Sequence, residues 1–239
     1  MCTQRKITFD LNVNFYHSRK IDECWLQEIR VDQMFFSKAK FNKENLRQTI
    51  HKFFKLLPKI EFVLHDWAAM RNRSSYTNYS LPELIYNFEG LHRSIYTKDD
   101  TKSQNKVIIN TIHAVSPFDN YENLIKQNKH ELHLRLRLQD MLLVKAEPFY
   151  SFLTIPQRKN IIEILLNIRN NAAHKRGEEN LNFQIEFALI IFLEEMMAIM
   201  IFLSLDMSLK QIHDVLQCRQ ERAEMQDRLL HYFEVKNAE

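Results

Sequence analysis

The chain has 239 residues, 45% of them hydrophobic and 26% charged, the balance of an ordinary soluble protein with a sizeable core. Glycine occurs only at Gly90 and Gly177 and proline five times, which argues against a turn-rich all-β fold and for a mainly α protein. The net charge of +3, from 33 basic and 30 acidic side chains, is too balanced to establish nucleic-acid binding by itself.

The first stretch differs from the rest. Ile7, Phe9, Leu11, Val13 and Phe15 alternate with Lys6, Thr8, Asp10, Asn12 and Asn14, the period of a half-buried strand. A lone strand needs a partner, and Ile29 with Val31 is the nearest candidate. Residues 1–40 are therefore expected as a short N-terminal β segment, either a hairpin or the remnant of a larger β domain. Residues 41–239 are expected as one helical domain.

From Asn42 the period becomes helical. Asn42 caps a predicted helix carrying Leu46, Ile50, Phe53, Phe54 and Leu57. Pro58 fits the first turn of a second helix through Phe62, Val63, Trp67 and Met70. Arg71 to Tyr79 is polar. Ser80-Leu81-Pro82-Glu83 is a capping box with proline in the first turn, opening a helix with Leu84, Ile85, Phe88, Leu91 and Ile95. A polar break from Thr97 to Asn105 precedes helices expected near 104–114 and 118–145. Within the latter, Leu132, Leu134, Leu136 and Leu138 alternate with polar residues. The absence of β-branched residues there favours helix over strand.

Thr154-Ile155-Pro156-Gln157 is a second capping box, starting a helix with Ile161, Ile162, Ile164, Leu165 and Ile168. A long apolar helix is predicted over about 180–205, judged by hydrophobic periodicity. Glu194-Glu195 interrupt it, and two carboxylates are costly in lipid, so it reads as a buried helix and no membrane role is expected. Ser208-Leu209-Lys210-Gln211 caps a final helix with Ile212, Val215, Leu216, Met225, Leu229 and Leu230.

The stretch richest in chemistry is Arg169-Asn170-Asn171-Ala172-Ala173-His174, followed by Lys175-Arg176-Gly177. Arginine holds a phosphate bidentately, and histidine moves a proton near neutral pH. On a continuous helix two side chains five apart point about 140° from each other. The helix is therefore expected to end or bend between Arg169 and His174, helped by two Asn and by Gly177. A plain helix C-terminus with cations complementing the dipole is the simpler reading of the same residues.

An Arg-Asn pair followed by His after an apolar helix, with a long apolar helix next, resembles the HEPN (higher eukaryotes and prokaryotes nucleotide-binding) family. Leu81-Pro82-Glu83-Leu84 and Phe88-Glu89-Gly90-Leu91-His92-Arg93 resemble a helix in the HEPN part of ApeA-like abortive phage-resistance proteins. The resemblance spans roughly residues 35–220. It implies a HEPN-like helical bundle and a metal-independent endoribonuclease acting in antiphage defence or as a toxin. It also implies a homodimer with a composite active site, and RNA, with tRNA as a family-level candidate. A regulatory or antitoxin protein is a further implied partner. In this reading His174 is the general acid/base, Arg169 binds the phosphate and Asn170 orients either. The products are a 2′,3′-cyclic phosphate and a 5′-OH, and no metal or cofactor is required. Arg176 stands where nucleotidyltransferase-paired members carry Tyr, which disfavours that subgroup. The short stretch ahead of the helices departs from the large N-terminal domain of ApeA-like proteins.

Glu89 and Arg93, at i and i+4, are either a surface ion pair or supports that position Arg169. Lys175 and Arg176 either bind flanking phosphates or are solvated. His92 is expected to be structural or solvent-facing. His130 and His133 have metal-compatible spacing but only Glu131 nearby, so no metal site is expected. Met196, Met197 and Met200 read as core or dimer packing. Cys2, Cys24 and Cys218 form no C-x-x-C pair and fit a reduced, cytoplasmic setting, and no signal peptide is evident. The competing reading is a non-catalytic HEPN-like module that binds RNA or a protein.

Overall fold

Leu46, Ile50, Phe53, Leu57, Ile60 and Leu64 recur every three or four residues, and they build one helix where the sequence suggested two. In the computed structural model, which describes residues 43–71, 80–96, 101–174, 182–217 and 219–238, α1 runs from Lys43 to Arg71 with Pro58 inside it. The expectation that Pro58 opens a second helix is thus corrected. An interior proline removes one backbone N–H and costs about 3 kcal/mol relative to alanine. Packing on either side of Pro58 offsets it, with Ile60 and Val63 fully buried and Phe53 and Leu56 against the core.

The next helix, α2 (Ser80–Tyr96), begins at the expected capping segment and buries Leu84, Ile85, Phe88 and Leu91. The third, α3 (Thr101–Val115), starts three residues earlier than expected. The single helix expected over 118–145 is instead three pieces: α4 (Tyr121–Gln127), α5 (Leu134–Gln139) and a π-helical turn, Asp140–Lys145. Asn128 explains the break. It is fully buried; its amide donates to the Leu124 carbonyl at 2.9 Å, and its side-chain oxygen accepts from the His133 N–H at 2.8 Å. An Asn side chain that substitutes for backbone partners in this way competes with the helix. The alternating leucines are helical from Leu134, as favoured.

A 3-10 turn, Glu147–Tyr150, leads to α6 (Ile155–His174). The capping box forms: Thr154 N–H donates to Gln157 Oε1 at 2.8 Å and Gln157 N–H to Thr154 Oγ1 at 3.4 Å. The long apolar helix is α7 (Phe183–Ser204), with Asn182 accepting from the Gln184 N–H at 3.1 Å. Asp206, at a φ of 56°, turns the chain out of α7. The final stretch divides into α8 (Leu209–Leu216), held by the expected Ser208–Gln211 capping box, and α9 (Gln220–Ala238), so the single final helix is also corrected.

At the centre lies α7, buried on every face from Ala188 to Phe202. It packs on α2 and α9 and touches α8, while α1 covers α2, and α6 lies against α2 and α5. By length and composition α7 could cross a membrane, but its own protein surrounds it. Met196, Met197 and Met200 are core residues. A smaller apolar cluster of Ile108, Ile109, Ile112, Leu132 and Leu136 joins α3 to α5.

Glu194 and Glu195 are buried among cations from the start of α9. Arg222 pairs with Glu195 and donates to the Phe149 carbonyl at 2.6 Å, and Arg219 lies 3.6 Å from Glu194. Burial pushes the Glu195 carboxyl above its ordinary value despite Arg222. No strand occurs among the described residues. The alternating stretch from Lys6 to Phe15 and the Ile29–Val31 pair lie outside them, as do Lys175 and Arg176.

Candidate functional site

The candidate motif rides on the last turns of α6. Ile161, Ile162 and Leu165 anchor that helix in the core, with Ile168 partly buried one turn on. Arg169 follows directly, half-buried, and Asn170 is exposed. The helix continues unbroken through His174, which corrects the expected bend between Arg169 and His174. Asn is only modestly worse than alanine inside a helix, and Gly177, a residue type that disfavours helix, lies three positions past His174 in the sequence. On this backbone positions 169 and 174 lie about 140° apart around the helix axis, with their Cα atoms roughly 9 Å apart.

Arg169 has a distinctive setting. Its Nε is shielded from water and has no hydrogen-bond partner among the described residues. Its guanidinium lies 5.8 Å from the centre of the Tyr86 ring on α2, a cation–π contact. Tyr86 is 46% exposed, so much of its ring remains open to solvent. Sequence reasoning passed over Tyr86; its place three residues before Glu89 on the capped helix was the available sign.

Glu89 and Arg93 form the i, i+4 ion pair, at 3.6 Å. Arg93 also pairs with Glu131, tying α2 to the segment before α5. Among the described residues neither Glu89 nor Arg93 is bonded to Arg169.

A second polar centre went unread. His92 is fully buried, and its Nε2 lies 2.8 Å from Asp140 Oδ2 on the π-helical turn. Its Nδ1 is 3.4 Å from Arg137 Nη1, and Arg137 Nε donates to the Leu132 carbonyl at 2.8 Å. A carboxylate only accepts and a guanidinium only donates, so Nε2 carries the proton. Burial pushes the imidazole down to about 4, against the pull of Asp140, so it is neutral at neutral pH. Burial would raise the Asp140 carboxyl, but the His92 hydrogen bond and the Lys145 charge outweigh it and hold it below its ordinary value. Lys145 pairs with Asp140 and sits 4.3 Å over the Tyr96 ring, whose hydroxyl burial pushes up. Both His92 nitrogens are thus engaged, which makes it a structural strut between α2 and the π-helical turn rather than a proton carrier.

His130 and His133 are both exposed, and no metal-sized group of three His, Cys, Asp or Glu occurs among the described residues. Searches for similarity to protein families, to curated proteins and to solved structures found no match.

Proposed function

We propose that the helical domain is a metal-independent, HEPN-type endoribonuclease acting as a homodimer, with Arg169, Asn170 and His174 at its site. The observation that carries the reading is Arg169, a half-buried guanidinium with an unsatisfied Nε, braced by Tyr86 beside the exposed Asn170. A buried donor without an acceptor costs about 1–3 kcal/mol, and a shift of the guanidinium that brings Nε onto a phosphate oxygen removes that cost. Arginine adds bidentate geometry and charge for the pentacoordinate transition state.

In the reaction the ribose 2′-oxygen bonds to the adjacent phosphorus as the bond from phosphorus to the 5′-oxygen breaks. His174 as base takes the 2′-hydroxyl proton, and as acid a histidine returns a proton to the leaving 5′-oxygen. The products are a 2′,3′-cyclic phosphate and a 5′-hydroxyl. Because α6 is unbroken, positions 169 and 174 lie on different faces of the helix within one protomer. Two copies with their α6 ends apposed would set Arg169 of one and His174 of the other around a single phosphate. Cytoplasmic RNA, with tRNA as a candidate, is the substrate of this reading, and antiphage defence or a toxin role its setting.

The test is incubation of the purified protein with total RNA in EDTA, followed by end-group analysis. Wild type is expected to leave cyclic phosphate ends, and Arg169→Ala and His174→Ala to leave the RNA intact while keeping the wild-type circular dichroism spectrum. Undiminished cleavage by either variant refutes the assignment. The unbroken helix favours a second reading, a non-catalytic RNA- or protein-binding module in which Arg169 is a structural brace. RNA that survives the wild-type protein selects it.

A further inference from the structure

The surface that leads away from Arg169 carries exposed aromatic rings next to cations. Tyr86 and Gly90 are one turn apart on the same face of α2. Gly90 has no side chain, and the Phe62 ring of α1 occupies the space: a Cβ built on Gly90 would stand 3.0 Å from its Cε2 and Cζ. Phe62 is 46% exposed, as is Tyr86. Two partly open rings thus stand about one helical turn, some 6 Å, apart along α2.

On α1, Lys55, Lys59 and Phe62 follow at i, i+4 and i+7, within an arc of about 60° at 100° per residue. Lys55 is exposed and Lys59 half-exposed, and no ion pair joins either to a described carboxylate. With Phe62 seated at Gly90, an antiparallel course brings Arg71 and Ser80 near each other, whereas a parallel one sets them about 30 Å apart, roughly the full reach of the eight connecting residues, so α1 and α2 run antiparallel. The order along the surface is therefore Arg169, Tyr86, Phe62, Lys59, Lys55. Two open rings thus lie between the Arg169 guanidinium and two lysines along one line, with the exposed Asp66 one turn beyond Phe62 on the same stripe of α1, and rings beside cations suit a flexible polyanion carrying flat bases.

We propose that this line is a track for single-stranded RNA, in which Tyr86 and Phe62 stack successive bases and Lys59 and Lys55 take backbone phosphates. The proposal rests on the ribonuclease reading for the phosphate at Arg169, and it adds where the flanking nucleotides lie. A stacked base has no hydrogen-bond code to satisfy, so the track selects unpaired RNA over duplex and tolerates many sequences. Tyr86 is a positioning residue here: it braces Arg169 on one side and holds a base on the other.

The probe is a fluorescein-labelled twelve-nucleotide single-stranded RNA, 2′-O-methylated throughout so that it cannot be cleaved, read by fluorescence anisotropy. Tyr86→Ala and Phe62→Ala are each expected to weaken binding about ten- to a hundredfold, while Tyr86→Phe stays within about twofold. Lys55→Gln with Lys59→Gln is expected to reduce the slope of log Kd against log salt by about 1.4. Far-UV circular dichroism checks that each variant is folded. Wild type that binds the probe with an affinity neither aromatic variant alters overturns the track and leaves the strip to a protein partner. If wild type still cleaves total RNA in that case, the ribonuclease reading survives without it. Wild type that neither binds the probe nor cleaves RNA overturns both.

Discussion

His92 gives the fold a quantifiable acid sensitivity. The folded protein holds the imidazole neutral, with its proton affinity pushed down to about 4, whereas the unfolded chain protonates it near 6.5. A group whose affinity is depressed on folding contributes stability that is present above the unfolded value and is lost as pH falls toward the folded one. The interval of about 2.5 pH units, at about 1.4 kcal/mol each, amounts to roughly 3.5 kcal/mol, of which about 2.5 is lost by pH 4.5. His92→Gln retains an amide able to donate to Asp140 and removes the titration. At neutral pH it is expected to cost about 1–3 kcal/mol through imperfect hydrogen bonding. Urea unfolding from about pH 7.5 to about pH 4.5 should then show wild type losing about 2.5 kcal/mol more than the variant. The remaining histidines are common to both proteins and cancel. Asp140, held below its ordinary value, contributes at lower pH, outside this window. Parallel stability curves for the two proteins would refute the buried neutral imidazole.

Arg222→Met leaves Glu195 buried without its principal cation and should destabilise by about 3–5 kcal/mol in urea unfolding. Adding Glu195→Leu should recover most of the loss, and a double variant as unstable as the single one would count against the pair. Pro58→Ala restores a backbone donor inside α1 and should raise stability by roughly 1–2 kcal/mol, after allowing for the freer unfolded chain. A lower denaturation midpoint would show that α1 depends on the proline. Gly90→Ala gains up to about 1 kcal/mol of helix propensity, but the Phe62 ring must give by a few tenths of an ångström. Since that ring is half-exposed and contacted at its far end, a small net gain is expected. A clear loss in the same urea assay would mean that the ring is fixed.

Local chemistry was legible where the partners lie close in sequence. The Thr154–Gln157 and Ser208–Gln211 capping boxes form as read, and α7 declared itself by unbroken apolar composition. The failures come from competition that spacing alone does not resolve. Pro58 signals a break, yet burial on both of its flanks carries α1 through it. Asn128 reads as an ordinary helix residue until its side chain is seen to take the His133 amide. At the candidate site the residues were legible but their mutual geometry was not: Asn170 and Asn171 permitted a bend that the helix does not make. The His92–Asp140 contact spans 48 positions, so no short pattern announces it.

The burial of α7 on every face also bears on how the chain reaches its fold. A helix with one apolar stripe can dock on a growing core as it emerges during synthesis, but α7 has no polar face to leave in water. Its coat includes α9, which follows it in the chain, so the covering of α7 waits until α9 is made. Glu194 and Glu195 then act on the waiting helix. Each carboxylate at mid-span raises the cost of a membrane-inserted detour by roughly 3 kcal/mol. The arrival of Arg219, just ahead of α9, and of Arg222 on it turns that penalty into the charge pairing of the core. The same two residues thus oppose a stay in lipid before α9 exists and are charge-paired once it has docked.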